Sequence, residues 1–479
     1  MMRVKCQLIG GTGVLALVLA MVLPVAGQDR DPMVLYAEDG VTVRAHVQAG
    51  VNLVGEQDLF WGLADIFAPT ANYNPDKVWF EGFVKPGVSF RSELSESETL
   101  YGMVSGVWSG TIGIDAYDKG DTGRVTLEEA YFGFLTENPG GLSVDLSAGA
   151  RELTLGTGML IVNGGGDGFE RGALKLGPRK AWELAGIGKL MHGGFSATGF
   201  YIDANEVPSS DSMTALTGGD FRFDHPAGGF IGVTYAHVVE SNSAYPKVDL
   251  GNPPEIIEGA REGLNVVNAY GRTGKLDGAL TNWYFSADLA YEWNDRIDME
   301  AWGGRGQVAY TFADATWTPR LMYTFQSFSG DDPNTPGLER FDPLYYDGSP
   351  STWATGSKSA MTFINSNVHA HQVEFSVKPS MQDTITLRYA HVRANELNSP
   401  VQFGQATRFD IAGGDNIITG VTDPHLADDV YLEYNRILNR NTYLTAGVSA
   451  SFPGKGLEKA AQQDLPVWLG AFVNLFIVY

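Results

Sequence analysis

The sequence predicts an all-β protein: an 18-stranded antiparallel barrel crossing an outer membrane, with short periplasmic turns and long extracellular loops. Three observations predict it. Apolar and polar residues alternate at period two through long segments, the connections between segments alternate between tight and long, and an export leader precedes them all.

The leader comes first. Residues 1–27 carry Arg3 and Lys5, then an apolar run from Val14 to Val25, then the small residues Ala26 and Gly27 before polar Gln28. This is the layout of a cleaved secretory signal peptide. A single anchoring helix is the alternative, and the run is short for it. Residues 28–40 then form a periplasmic segment, and 41–479 the barrel. Cys6, the one cysteine, lies in the leader, so the exported chain has neither a disulfide framework nor a thiolate nucleophile. The formal charge of −23 becomes −25 without Arg3 and Lys5. That acidity argues against a nucleic-acid partner, because phosphate is bound by Lys and Arg. The 59 Gly, the 11% aromatic residues and the low 19% charged fraction suit a β-rich chain with many turns.

The strands follow. In NWYFSADLAYEW, residues 282–293, Trp283, Phe285, Ala287, Leu289, Tyr291 and Trp293 share one face, and Asp288 and Glu292 lie on the other. LSVDLSAGAR (142–151) and VTVRAHVQ (41–48) alternate in the same way. Soluble strands run to about five or six residues, whereas strands of about 9–11 residues tilted by roughly 45° cross a bilayer. In hydrocarbon every backbone N–H and C=O must be paired internally, and a sheet achieves that only by closing on itself. Roughly 18 such segments begin near residues 41, 79, 98, 124, 142, 182, 193, 214, 228, 263, 280, 298, 315, 366, 382, 427, 440 and 466.

The connections set the orientation. ENPGG (137–141), HGG (192–194), DHPAGG (224–229), KLDGA (275–279), ADAT (313–316), KPSMQD (378–383) and LNRN (438–441) are tight, with turn-forming residues. The other set is mostly long: about 55–78, 156–181, 241–262, 329–365 and 395–426. This asymmetry belongs to outer-membrane barrels, with short turns on the periplasmic side. The chain closes on VNLFIVY, whose Val473, Leu475, Ile477 and Tyr479 are expected to face lipid. A terminal aromatic of this kind is what the barrel assembly machinery generally reads.

Three stretches carry a family resemblance. FQSFSGDDPNTPGLERFDPLYYDG (325–348) contains SGDD followed by FDPLYY, LSAGARELTLGTGMLI (146–161) places Arg151 in a strand-and-turn pattern, and LADDVYLEYNRIL (426–438) is followed by TAGVSASFPG (445–454). Together they resemble the alginate export family of outer-membrane proteins, over nearly the whole exported chain. The resemblance implies an 18-stranded barrel that passes a polysaccharide or related polar or anionic solute, embedded among outer-membrane lipid and lipopolysaccharide.

Alternation alone gives a lumen of mixed sign. It places Arg44, Lys85, Arg91, Arg151, Arg305, Arg320, Lys378 and Arg388 inside, with Glu93, Asp145, Asp288, Glu292, Glu374, Asp429 and Glu433. A lipid-facing charge at mid-depth costs about 2–4 kcal/mol, which favours the inward assignment. Arg44, Arg91, Arg151, Arg305, Arg320 and Arg388 are the candidate pore-lining, solute-binding residues, since charged rings select solutes in a pore and Arg pairs bidentately with carboxylates. The competing role is to brace the wall against the inward acids.

Other candidates sit in loops and at the rim. Asp331, Asp332 and Asp342 could hold a structural calcium through hard oxygen ligands, or fix turns by bonding backbone N–H groups. Loops 329–365 and 395–426 are candidate gates, and acidic loop 241–262 could fold inward against a basic wall as in a general diffusion porin. GGGDGFERG (164–172) lacks the Lys-Ser/Thr of a phosphate loop and reads as a folded external loop. His369 and His371 share a strand face, as a metal pair or as girdle residues. No local motif places a serine beside a histidine with an orienting partner, so a channel is expected rather than an enzyme. Two further classes stay open: a general diffusion porin, and a surface interaction protein anchored by the barrel.

Overall fold

The computed structural model describes residues 31–67, 69, 72–117, 120–250, 254–346, 364–400 and 420–479. The expected leader lies outside them, as do parts of the loops between residues 329 and 367 and between 395 and 424.

The chain forms a closed antiparallel barrel of 18 strands. The first nine are β1 (Val41–Gln57), β2 (Lys77–Glu93), β3 (Glu98–Ile114), β4 (Gly120–Glu137), β5 (Ser143–Arg151), β6 (Trp182–His192), β7 (Phe195–Asp203), β8 (Ala215–Asp224) and β9 (Phe230–Glu240). The second nine are β10 (Asn265–Arg272), β11 (Trp283–Asn294), β12 (Met299–Thr311), β13 (Arg320–Phe328), β14 (Val368–Val377), β15 (Asp383–Ala394), β16 (His425–Asn439), β17 (Thr442–Pro453) and β18 (Trp468–Val478). Each strand pairs with its neighbours in sequence, and β18 closes on β1 from Gln48↔Val478 to Gln57↔Leu469. Closure leaves no edge with unpaired backbone in the hydrocarbon. Where β18 runs out, the short strand Val34–Glu38 continues the pairing along Val41–Arg44 of β1. Tyr479 and Val47 exchange backbone N–H···O bonds of 2.8 and 3.1 Å, so the last residue is part of the seam.

The two faces separate as the alternation requires. Val125, Leu289 and Ile231 present 73%, 65% and 65% of their surface to the outside, whereas Glu81, Asp288 and Glu292 are fully covered inside. On β18, Val473 is exposed and Ile477, of the same parity, is covered. Outward aromatics cluster at both ends of the wall. Trp283, Tyr310 and Phe312 meet edge to face near the periplasmic end, and Tyr235, Tyr291 and Trp293 group near the extracellular end. These are the girdles at which amphipathic rings meet the headgroups.

Two boundaries move from their expected places. The strand expected from 315 begins at Arg320, because residues 312–319 form one wide turn. It is closed by Phe312 N–H donating to the Pro319 carbonyl, with Trp317 and Thr318 at positive φ. Lys378 lies just beyond β14, in the periplasmic turn, rather than in the strand.

A loop across the lumen and the charges around it

The 152–181 connection between β5 and β6 does not stay outside. It enters the barrel and bonds to the inner faces of β1–β4. Lys175 Nζ meets Glu56 at 2.5 Å. The backbone N–H groups of Lys175 and Leu176 donate to the Glu81 carboxylate at 3.0 and 3.1 Å. The Arg171 carbonyl accepts from Ser109 Oγ, and Ala173 N–H donates to Thr111 Oγ1. Arg179, fully covered, donates to Thr126, Ser109 and Asp167 at 2.8, 3.1 and 3.0 Å.

The same loop also reaches the other side. Thr157 donates to Asp288 of β11 and accepts from Arg305 of β12 at 3.2 Å. From β5 to β11 and β12 is six or seven strands of an 18-strand ring, so this contact spans the lumen. Residues 152–181 therefore form a constriction, and GGGDGFERG is an internal segment, not the external loop expected. The physical reason is packing against the wall. Gly172 has φ +69°, and a Cβ there would stand 2.8 Å from the Gly110 Cα of β3. Only glycine permits that approach.

A second assembly ties the outer loops to this constriction. Asp342 accepts from Arg261 Nε at 2.7 Å and from Tyr245 Oη. Its own N–H donates to Glu292 of β11 at 2.8 Å. Three residues on, Tyr345 Oη donates to Glu206 at 3.2 Å. Its backbone bonds Leu160 and Val162 of the constriction loop at 2.9 and 3.0 Å. Burial acts to raise the Asp342 carboxyl, but the Arg261 guanidinium outweighs it and holds the group below the usual carboxylate range. Asp167, buried beside Arg179, goes the other way: loss of hydration pushes its carboxyl up to about 7, and Arg179 only partly offsets this.

The loop aspartates thus have protein partners. Asp331 accepts the N–H groups of Val248 and Glu339 at 2.7 and 3.0 Å, and Asp332 accepts that of Asn334 at 2.8 Å. A calcium ion at Asp331 or Asp342 has to displace those donors. The three do not converge into a metal-holding group among the described residues. Loop 241–264 is tied to loop 329–346 at the mouth instead of folding against a basic wall.

The six candidate arginines fall into two sets. Four have acid partners: Arg44 with Asp31 at 2.8 Å, Arg91 with Glu93 at 3.9 Å, Arg305 with Asp288 at 3.3 Å, and Arg388 with Glu374 at 2.7 Å. Arg151 and Arg320 have no carboxylate partner among the described residues and lie over tyrosine rings. Arg151 is 4.7 Å from the Tyr131 centroid, and Arg320 is 5.1 Å from that of Tyr284. Arg305 and Arg320 share neighbouring strands but not a level. Arg305 pairs with Gln326 and Arg320 with Thr311, six residues away along the ladder, about 20 Å at strand rise.

Several lumen residues escaped the sequence reading. Glu56 and Glu81 were within reach, since both sit on the inward parity of β1 and β2. Glu128 and Glu129 were not. A bulge in β4 pairs Ser105 with Glu129 and Gly106 with Leu127, leaving Glu128 extra. Both acids then face inward onto Lys85, at 3.3 and 3.7 Å. Two consecutive residues on one face contradict strict alternation, and only the bulge allows it.

Comparison with solved structures agrees with this architecture. The outer membrane protein opdK of Pseudomonas aeruginosa superimposes with a TM-score of 0.52 at 8% identity, covering 91% of this chain and 98% of that one. OccK5 of the same organism gives 0.51 at 8% identity, covering 91% and 98%. OccK2 gives 0.50 at 11% identity, covering 91% and 97%. At such identities the likeness shows the fold alone, that of an outer-membrane barrel. No curated protein sequence matches the chain. The 146–161 stretch lies outside the residues that the family comparison covers. Residues 266–467, from β10 to the approach to β18 and including the FDPLYY loop, match the model of the alginate export family of outer-membrane proteins.

Proposed function

We propose that the barrel conducts a polar, polysaccharide-like solute of the uronic-acid type past the constriction made by residues 152–181, with Arg151 and Arg320 meeting it. The observation that carries this reading is the pairing pattern. Four of the six inward arginines have a carboxylate within 4 Å, while Arg151 and Arg320 keep their donors free of carboxylates among the described residues and lie over tyrosines. A guanidinium held over an aromatic face can still present its remaining N–H groups to a passing carboxylate. The tyrosines add flat surfaces on which a sugar ring can slide. Acid partners at the other four leave these two arginines as local points of attraction for a long polyanion.

Planar-bilayer recording of the purified protein tests this. Uronic-acid oligomers are expected to block the current more strongly than neutral oligomers of equal length. Arg151→Glu with Arg320→Glu should weaken that block and move selectivity toward cations. Equal block by charged and neutral oligomers, with no change in the variant, favours the general diffusion porin. A barrel that carries no current favours the surface-anchor reading.

A further inference from the structure

We propose that the outer wall of the barrel carries a divalent transition-metal site at its extracellular rim, with His391 Nδ1, His425 Nε2 and the Asp428 carboxylate as ligands. The three donor atoms lie within 4.8 Å of one another. His391 Nδ1 is 2.8 Å from one Asp428 oxygen and His425 Nε2 is 2.9 Å from the other. Zinc bonds of about 2.0–2.2 Å in tetrahedral array place ligand atoms about 3.3 Å apart, so small side-chain adjustments suffice.

The site is outside the lumen. Leu387 and Tyr389 share the parity of His391, Val430 and Leu432 share that of Asp428, and all four are exposed on the lipid-facing wall. Its height follows from the strand ends. β15 rises from the 378–382 turn and ends at Ala394, and β16 begins at His425.

One irregularity builds the cluster. Regular pairing would turn His425 inward, three residues before outward Asp428. A bulge intervenes: Val392 pairs with Ala427, the next pair is Arg393 with His425, and Leu426 is left over and fully covered. The extra residue swings His425 onto the outer face, the re-aiming that bulges perform. Tyr389 Oη donates to Asp428 at 2.7 Å and orients the carboxylate, as groups behind metal ligands do. His371 stands opposite His391 in register, but its ring is held by Tyr323 Oη at 2.7 Å. The sequence pair His369 and His371 is thus not the centre of the site.

Two imidazoles and one carboxylate suit zinc, nickel or copper(II), whereas calcium and magnesium take oxygen ligands. Three protein ligands leave a fourth position, at headgroup height, for water.

The test uses the exported chain without a histidine tag, folded in detergent and stripped with chelator. Cobalt(II) is titrated and the visible absorption of a four-coordinate cobalt site is read, followed by displacement with zinc. One equivalent of cobalt is expected to bind and be displaced. Asp428→Asn should weaken binding about tenfold or more, and His391→Asn with His425→Asn should abolish it. His192→Asn, in the periplasmic turn, should bind as the parent does. Heat-dependent gel mobility confirms that each variant is folded. Absence of stoichiometric binding, or binding that survives loss of both histidines, overturns the proposal and leaves a hydrogen-bonded cluster only.

Discussion

Lys85 shows what single residues do in this lumen. Its ammonium meets Glu128, Glu129 and Glu152 at 3.3, 3.7 and 3.1 Å and is almost fully covered. A charge so placed is tolerated because its partners are charged as well, and removing one side strands the other. Lys85→Met is therefore expected to cost about 3–5 kcal/mol, read as a lower midpoint in urea titration followed by gel mobility. An unchanged midpoint would mean that water reaches the three acids. Strand parity put Lys85 inside from sequence alone, but its partners needed the β4 bulge and the inward loop. The Arg388–Glu374 pair was more legible, because the two residues lie directly opposite on adjacent strands.

At the scale of elements, the 152–181 loop crosses the lumen, and the segment that carries Asp342 is bonded to it through Tyr345. Asp167 gives this loop a pH dependence. Its carboxyl titrates near 7 when docked, against an ordinary value of 3.8, because burial disfavours its charge. The docked loop therefore binds that proton more tightly than the free loop does. Docking gains fully below 3.8 and loses that gain as the pH rises to about 7. Single channels are expected to be quieter in acid than at pH above 7, and Asp167→Asn should flatten the profile. Asp342→Ala removes the acceptor shared by Tyr245 and Arg261 and should raise current noise at every pH. If it leaves the traces unaltered, the two outer loops do not steady the constriction. Length and composition marked about 156–181 as a loop but could not say that it turns inward. Its contacts at Glu81, Ser109 and Asp288 come from strands distant in sequence, and those strands are neighbours of the loop only once the barrel closes.

For the whole molecule, the separation of a wet interior from an apolar exterior is the main determinant. Leu289, 65% exposed on the outer wall, and Asn268, covered on the inner one, are a fair pair to compare. Leu289→Arg should cost about 2–4 kcal/mol through exposure of charge to lipid, whereas Asn268→Arg can find water and acids in the lumen. Comparable midpoints in denaturant titration of lipid-folded protein would contradict this assignment of faces. The sequence by itself determined the closed barrel, the strand number, the alternation of short turns with long loops, and the facing of charged residues such as Lys85, Asp288 and Glu292. Each of these follows from one local rule, that backbone must be paired and side chains sorted at period two. Only the tertiary structure decided which loop crosses the lumen, which arginines stay free of acids, and how the histidines gather on the outer rim. Those outcomes depend on bulges that shift parity by one residue and on contacts between segments a hundred or more residues apart, which no local pattern encodes.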